Sequence, residues 1–322
     1  MHVHPDIAAL RSDRAPQRRA QSAMQAACEA WRAEPGAAAM MQELEAFGAG
    51  AVLEDCPKLE AVFTAAGEAE RLAGLLSQHF CRALAANPYG HPPFRNGFDG
   101  HAASMLLARS GRAQLLIQSR DPAAFQHDGY SFSTGLRYDA VIGGRAEARI
   151  VRIIRVGEKS AEFSSEKIIL HPGCRLAFDL ASEMLLVDRT AQRLVTLRLV
   201  QGREHPQAAR EFSAATGELL QQCAGDLATS RQEAIIALLG RMGRDDAAPD
   251  FAEVALGEGD TSLRWQAIRE CLALDSAAGF RALASLARRA GDPLAASAGA
   301  LRARLVEQHP QLLELEAASC RA

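Results

Sequence analysis

Residues 130–153 read YSFSTGLRYDAVIGGRAEARIVRI, and the periodicity of this stretch decides the fold. Successive side chains of an extended strand point to opposite faces. In ARIVRIIRV (148–156), Ile150, Arg152 and Ile154 therefore fall on one face, with Val151, Ile153 and Arg155 on the other. Gly143-Gly144 stands where a hairpin turn is expected, and no helix-like segment follows it, so it does not read as a phosphate cradle.

The same texture extends outward in both directions. Short aliphatic runs, ASMLLARS, AQLLIQS, YDAVI, KIILH, RLAFDL, EMLLVD and RLVTLRLV, alternate with turn residues at Gly111-Arg112, Gly157-Glu158, Pro172-Gly173 and Asp188-Arg189. About eight short strands at regular spacing indicate an antiparallel barrel or sandwich, here over residues 91–215. Upstream, residues 1–90 read as a helical segment. In GEAERLAGLLSQHFCRALAAN (67–87), Leu72, Leu75, Leu76, Cys81 and Leu84 recur at helical spacing. The Pro- and Gly-rich loop NPYGHPPFRNGFDG (87–100) ends that helix and marks a boundary.

Residues 216–322 return to helix and repeat at a period of 33: Ala234, Ala267 and Ala300 align, as do Ile235, Ile268 and Leu301, and Leu239, Leu272 and Leu305. Gly225-Asp226, Gly259-Asp260 and Gly291-Asp292 precede the three units, placing an aspartate where it can cap a helix start. Phe251, Phe280 and Leu312 anchor the second helix of each unit. Such units share a core that no single hairpin buries.

The composition is that of an ordinary globular chain. Of 322 residues, 48% are apolar, and the formal net charge of -3 gives no polyelectrolyte attraction to nucleic acid. The seven cysteines are Cys28, Cys56, Cys81, Cys174, Cys223, Cys271 and Cys320. They are scattered and form no CxxC pair, so reduced thiols and a cytoplasmic setting are expected. No window is long and apolar enough for a membrane helix, and the N-terminal stretch has arginines but no apolar core of a secretory signal. His2 and His4 suit a frayed terminus better than a metal site.

GDTSLRWQAIRECLAL (259–274) and its counterparts resemble HEAT-like repeats, although Ser297 replaces the arginine in the last unit. That resemblance implies a scaffold for a protein partner. The middle region resembles the cupin superfamily, and within it the thiol-dioxygenase type. The segment at 130–153 looks like the first cupin motif. HPGCRLAFDLASEMLLVDRTAQRLVTLRLVQG (171–202), running on into EFSAATGEL (211–219), looks like the second. The implied fold is α+β, a central antiparallel jelly-roll barrel between the helical regions.

An iron cupin needs imidazole or carboxylate ligands converging inside the barrel, and a His-x-His pair points both rings inward. Anchoring the first motif on Gly144 instead places Tyr130 and Phe132 at the pair, and anchoring the second on LVTLRLV places Met184, beside Glu183, at the distant ligand position. Phenyl and thioether groups do not suit iron. Shifting the first motif by three offers His127 and Asp128, but Gly129 then takes the second inward position. His91 and His101 bracket Asp99 in a spacing that fits no standard site. Neither a GxSxG elbow, a Walker loop nor HExxH is present. Cys174 has Arg175 beside it and no paired histidine in sequence.

The sequence thus points to a metal-free binding or regulatory module rather than an enzyme. Its ligand, a small molecule or peptide, would meet Tyr130, Phe132, Tyr138, Met184 and Arg198, with Arg198 suited to an anionic group. The aromatics and Met184 serve equally as barrel core. The alternative is a non-haem iron oxygenase using His127, His171 and Glu183. No nucleic acid or membrane partner is expected. A homodimer through an exposed barrel edge is.

Overall fold

The computed structural model describes residues 13–314 except Glu158 and His205. His2, His4, Cys320 and the Glu158 half of one expected turn lie outside the described residues. Two compact units emerge: Met1–His205 with Glu211–Leu220, and Pro206–Arg210 with Gln221–Ala322.

The first unit opens with helices α1 (Ala15–Ala33), α2 (Pro35–Ala49), α3 (Pro57–Thr64) and α4 (Glu68–Ala86). Proline stands in the first turn of α1, α2 and α3, where its missing N–H costs no helical hydrogen bond. On α4 the buried face is Ala69, Leu72, Leu76 and Phe80. Cys81, which the spacing placed inward, is exposed, because Phe80 occupies that turn of the stripe.

Eleven named strands follow: β1 (Arg95–Phe98), β2 (Ala103–Ser110), β3 (Ala113–Arg120), β4 (Ala123–Ala124), β5 (Gly129–Phe132), β6 (Leu136–Val156), β7 (Ala161–Leu170), β8 (Arg175–Asp179), β9 (Glu183–Gln201), β10 (Ala209–Ser213) and β11 (Leu219–Cys223). The larger sheet runs β1-β2-β3-β9-β6-β7, with β4 added to β9 and β8 to β6. A smaller sheet has the order β11-β10-β5. Every pairing in the larger sheet is antiparallel.

Two expected turns are not turns. Gly143-Gly144 lies inside β6 and Asp188-Arg189 inside β9, and the two long strands stay paired past both points. The register shifts near Gly143, Arg145 and Glu147 show how: bulges bend the ribbon without ending it. Gly144 adopts φ +83, and a Cβ there would stand 2.1 Å from the Arg193 carbonyl oxygen, so glycine is the residue that fits.

Because β6 is one strand, its two halves have different outer neighbours. Leu136–Ala140 pair with β8, and Ala146–Val156 with β7. Alternation then sorts the first half of β6 cleanly. Tyr138, Ala140 and Ile142, with Ala113, Leu115 and Ile117 of β3 and Leu197 and Leu199 of β9, join Trp31, Met40, Leu44, Phe47 and Leu59 in one core. The N-terminal helices and the sheet thus share an apolar layer within a single unit. Among the described residues no helix is long and apolar enough to cross a membrane.

The second unit contains α5 (Leu227–Arg241), α6 (Ala248–Leu256), α7 (Thr261–Leu274), α8 (Ser276–Ala287) and α9 (Ala295–Gln308). Asp226 caps α5 through the Thr229 N–H, and Asp260 caps α7 through Ser262 and Leu263. Asp292 accepts the Leu294 N–H at 3.0 Å ahead of α9 and also holds the buried Arg264 at 2.5 Å. Phe251 and Phe280 are buried in the shared core, with Leu312 packed against it. Ala267 and Ile268 are fully buried, whereas Ala234, Ile235 and Ala300 are exposed. On α5 the inward positions are Ile236 and the aligned Leu239.

Candidate functional site

The face of the sheet opposite the helices carries charge. In register, Gln118 of β3 stands beside Thr196 of β9, which stands beside Val141 of β6. Two residues along, Arg198 lies beside Asp139, and on β3 Arg120 lies beside Leu194. The two-residue period puts Gln118, Arg120, Arg137, Asp139, Thr196 and Arg198 on one wall. Leu170, Leu176, Leu185 and Val187 supply aliphatic lining, and together these groups enclose a cavity of about 40 Å³.

Asp139 is 1% exposed and fully charged. Burial opposes that charge. The guanidiniums of Arg137 and Arg198, by attraction and hydrogen bonding, outweigh it and hold the carboxyl well below the usual carboxylate range. Arg198 donates from Nε to Oδ1 at 2.7 Å and from Nη2 to Oδ2 at 3.0 Å. Arg137 donates from Nε, at 3.1 and 3.0 Å, and from Nη2. It also lies over the Phe178 ring, 5.3 Å from the centroid.

The charges do not balance locally. Arg120 forms no ion pair or hydrogen bond with a described residue; it rests over Phe125 at 5.7 Å. Burial lowers its pKa; attraction to Asp99 opposes this, ahead of repulsion by Arg198 and a weaker pull from Asp139. A guanidinium nevertheless stays protonated. Three guanidiniums thus share the lining with one carboxylate, and Asp99 acts on Arg120 from outside it. The five N–H groups of Arg120, the Nη1 groups of Arg137 and Arg198, the Gln118 amide and the Thr196 hydroxyl are donors without a partner among the described residues.

Of the five residues expected to line an interior, the structure puts Arg198 at the cavity and the other four elsewhere. Tyr138 is on the opposite face, edge-on to Phe47 at 6.3 Å and tilted against Phe63 at 6.4 Å. Tyr130, Phe132 and Met184 belong to a separate core with Val151, Leu186 and Phe212. There Phe132 stacks on Phe163 at 5.7 Å and Tyr130 meets it edge-on at 5.0 Å. Alternation explains Tyr138, one residue from Asp139. The bulges explain Met184, because they break any parity counted from Arg198 back along β9.

The alternative metal ligands are individually engaged. The His127 Nε2–H donates to the Val187 carbonyl at 2.9 Å, and the His171 Nδ1–H to the Pro172 carbonyl at 2.9 Å. Glu183 accepts from Arg152 Nε at 2.8 Å. Among the described residues no group of three His, Cys, Asp or Glu side chains could hold a metal ion. Asp99 spends an oxygen on the N–H groups of His101 and Ala102, and the His101 ring sits edge-on to Phe125.

Sequence reasoning missed Arg120, Arg137 and Asp139. A signal existed: LRYDAVI places two opposite charges two apart in a strand that is otherwise apolar, so both must share one face.

No family model matches the sequence, and no curated protein matches it. Solved structures similar to part of the chain include cupin-superfamily proteins. The chain is similar to a 7S globulin of Momordica charantia (16% identity, 38% of this chain and 36% of that chain, TM-score 0.28). It is also similar to a cupin superfamily protein of Desulfitobacterium hafniense (18% identity, 33% and 83%, TM-score 0.23) and an RmlC-like cupin of Shewanella frigidimarina (10% identity, 35% and 86%, TM-score 0.24). The match spans 36% of the globulin's length.

Proposed function

We propose that the first unit is a cupin-like barrel that binds a small anion in its interior without catalysis, and that the second is a HEAT-like scaffold for a protein partner. The observation that carries the first part is the wall itself: three guanidiniums, one buried carboxylate, and donors that no described residue accepts from. A carboxylate or oxyanion supplies the missing acceptors and charge. A cavity of about 40 Å³ holds roughly three water-sized groups, which sets the ligand at a few heavy atoms.

The lining also argues for binding over chemistry. It contains no His, Cys, Lys, Tyr or Ser, and its one carboxylate is both clamped and weakly basic. A general base works best with a pKa near the operating pH. No observation favours the iron oxygenase. A homodimer fits an outer strand of the larger sheet, such as β7, which lies at the end of the strand order and whose backbone past Ala161, itself bonded to Gly217, can pair with a second copy.

Thermal denaturation with acetate, sulfate or phosphate against matched ionic strength tests the reading. At least one anion raises the midpoint of the native protein, and Arg120→Met removes that rise. No shift with any anion, or a shift that Arg120→Met leaves intact, contradicts it. Metal analysis of purified protein finding stoichiometric iron would restore the oxygenase.

A further inference from the structure

The second unit holds a cleft of about 710 Å³, separate from the charged cavity. Its walls come from α7, α8 and α9 and the turn after α9. Trp265, Leu272, Leu301, Leu305 and Leu312 line it, each only partly covered by the core beneath. A soluble surface leaves five large apolar groups half-covered at one place where something docks. The volume lies within the roughly 300–1,000 Å³ of clefts that take an organic group.

The polar lining has one sign. Arg269 is exposed and pairs with no described residue; His309 is the second basic group, and no carboxylate lines the cleft. Gln311 adds an exposed amide at the rim.

From this juxtaposition we infer that the cleft seats an acidic amphipathic helix of a partner protein, its leucine-type face on Trp265, Leu301 and Leu305 and its carboxylates toward Arg269 and His309. The inference rests on the proposed scaffold role of this unit and names the partner's chemistry. Grooves of this kind read helical anchors at i, i+3, i+4 and i+7.

The probe is a fluorescein-labelled synthetic helix with leucine at those positions and glutamate elsewhere, compared with a lysine counterpart. Binding to the full chain is followed by anisotropy and by Trp265 emission, Trp31 being fully buried in the first unit. The glutamate helix binds and shifts Trp265 emission. Arg269→Gln weakens it, and Arg269→Glu weakens it by about tenfold or more while improving the lysine helix. Equal binding of both helices sinks the acidic class and leaves the scaffold role standing. Binding of neither sinks both. Oleate binding with the same Arg269 dependence, or helix binding that requires deletion of residues 315–322, replaces the proposed occupant and overturns the inference.

Discussion

Asp139 keeps its charge at 1% exposure because one guanidinium reaches it from its own strand and another from the strand beside it. Breaking such a buried set is costly, since it strands the remaining charges. Asp139→Asn leaves Arg137 and Arg198 facing each other and is expected to cost about 3–5 kcal/mol in urea unfolding. The pH dependence has a definite sign. The folded-state pKa is depressed, so the stabilisation is fully present above the unfolded value of about 3.9 and is lost as pH falls below that toward the native value. Acid unfolding of Asp139→Asn lacks this component, and an unchanged acid limb would show that the carboxylate is not charged in the native state. Arg120 differs, because no described ion pair is lost with it. Arg120→Met changes stability without ligand by less than about 1 kcal/mol. At this scale the sequence was half legible: the resemblance to the second cupin motif picked out Arg198, but its partner on β6 depends on a cross-strand register that no local pattern encodes.

At the level of elements, the alternation in 130–153 and 193–200 identifies strands and even their faces, since Tyr138 and Ala140 pack on helices while Arg137 and Asp139 do not. What alternation does not reveal is a strand that continues through a glycine pair. Gly143-Gly144 has the composition of a turn, and only the partner strand β9, equally long, makes it a bend. Everything downstream of such a bulge changes parity, which is why Met184 and Arg198 part company. Gly144→Ala is expected to lose at least about 1–3 kcal/mol, from the positive φ and the approach to the Arg193 carbonyl. Urea midpoints for Gly144→Ala and Gly143→Ala check this. Gly143 has ordinary contact distances, 3.7 Å to Val195, so its variant loses less. An equal loss at both would place the constraint elsewhere.

Across the whole molecule, the boundary legible in sequence near residue 90 divides helices from strands, yet Trp31, Phe47 and Leu59 share a core with Leu197 and Leu199. Local composition marks where element types change, whereas unit boundaries follow buried contacts. By contact, Pro206–Arg210 go with Gln221–Ala322, while Glu211–Leu220 stay with the first unit. With two compact units, calorimetry is expected to resolve two transitions. An anion that binds at Arg120 raises one and leaves the other in place; both moving together would tie the site to the second unit. The most direct test of the anion site is a crystal of the protein soaked in bromide and measured at the bromine edge. The account expects anomalous density in the cavity within about 3.5 Å of guanidinium nitrogens of Arg120 and of Arg137 or Arg198. A cavity holding only water, with Arg120 turned onto Asp99, would contradict it.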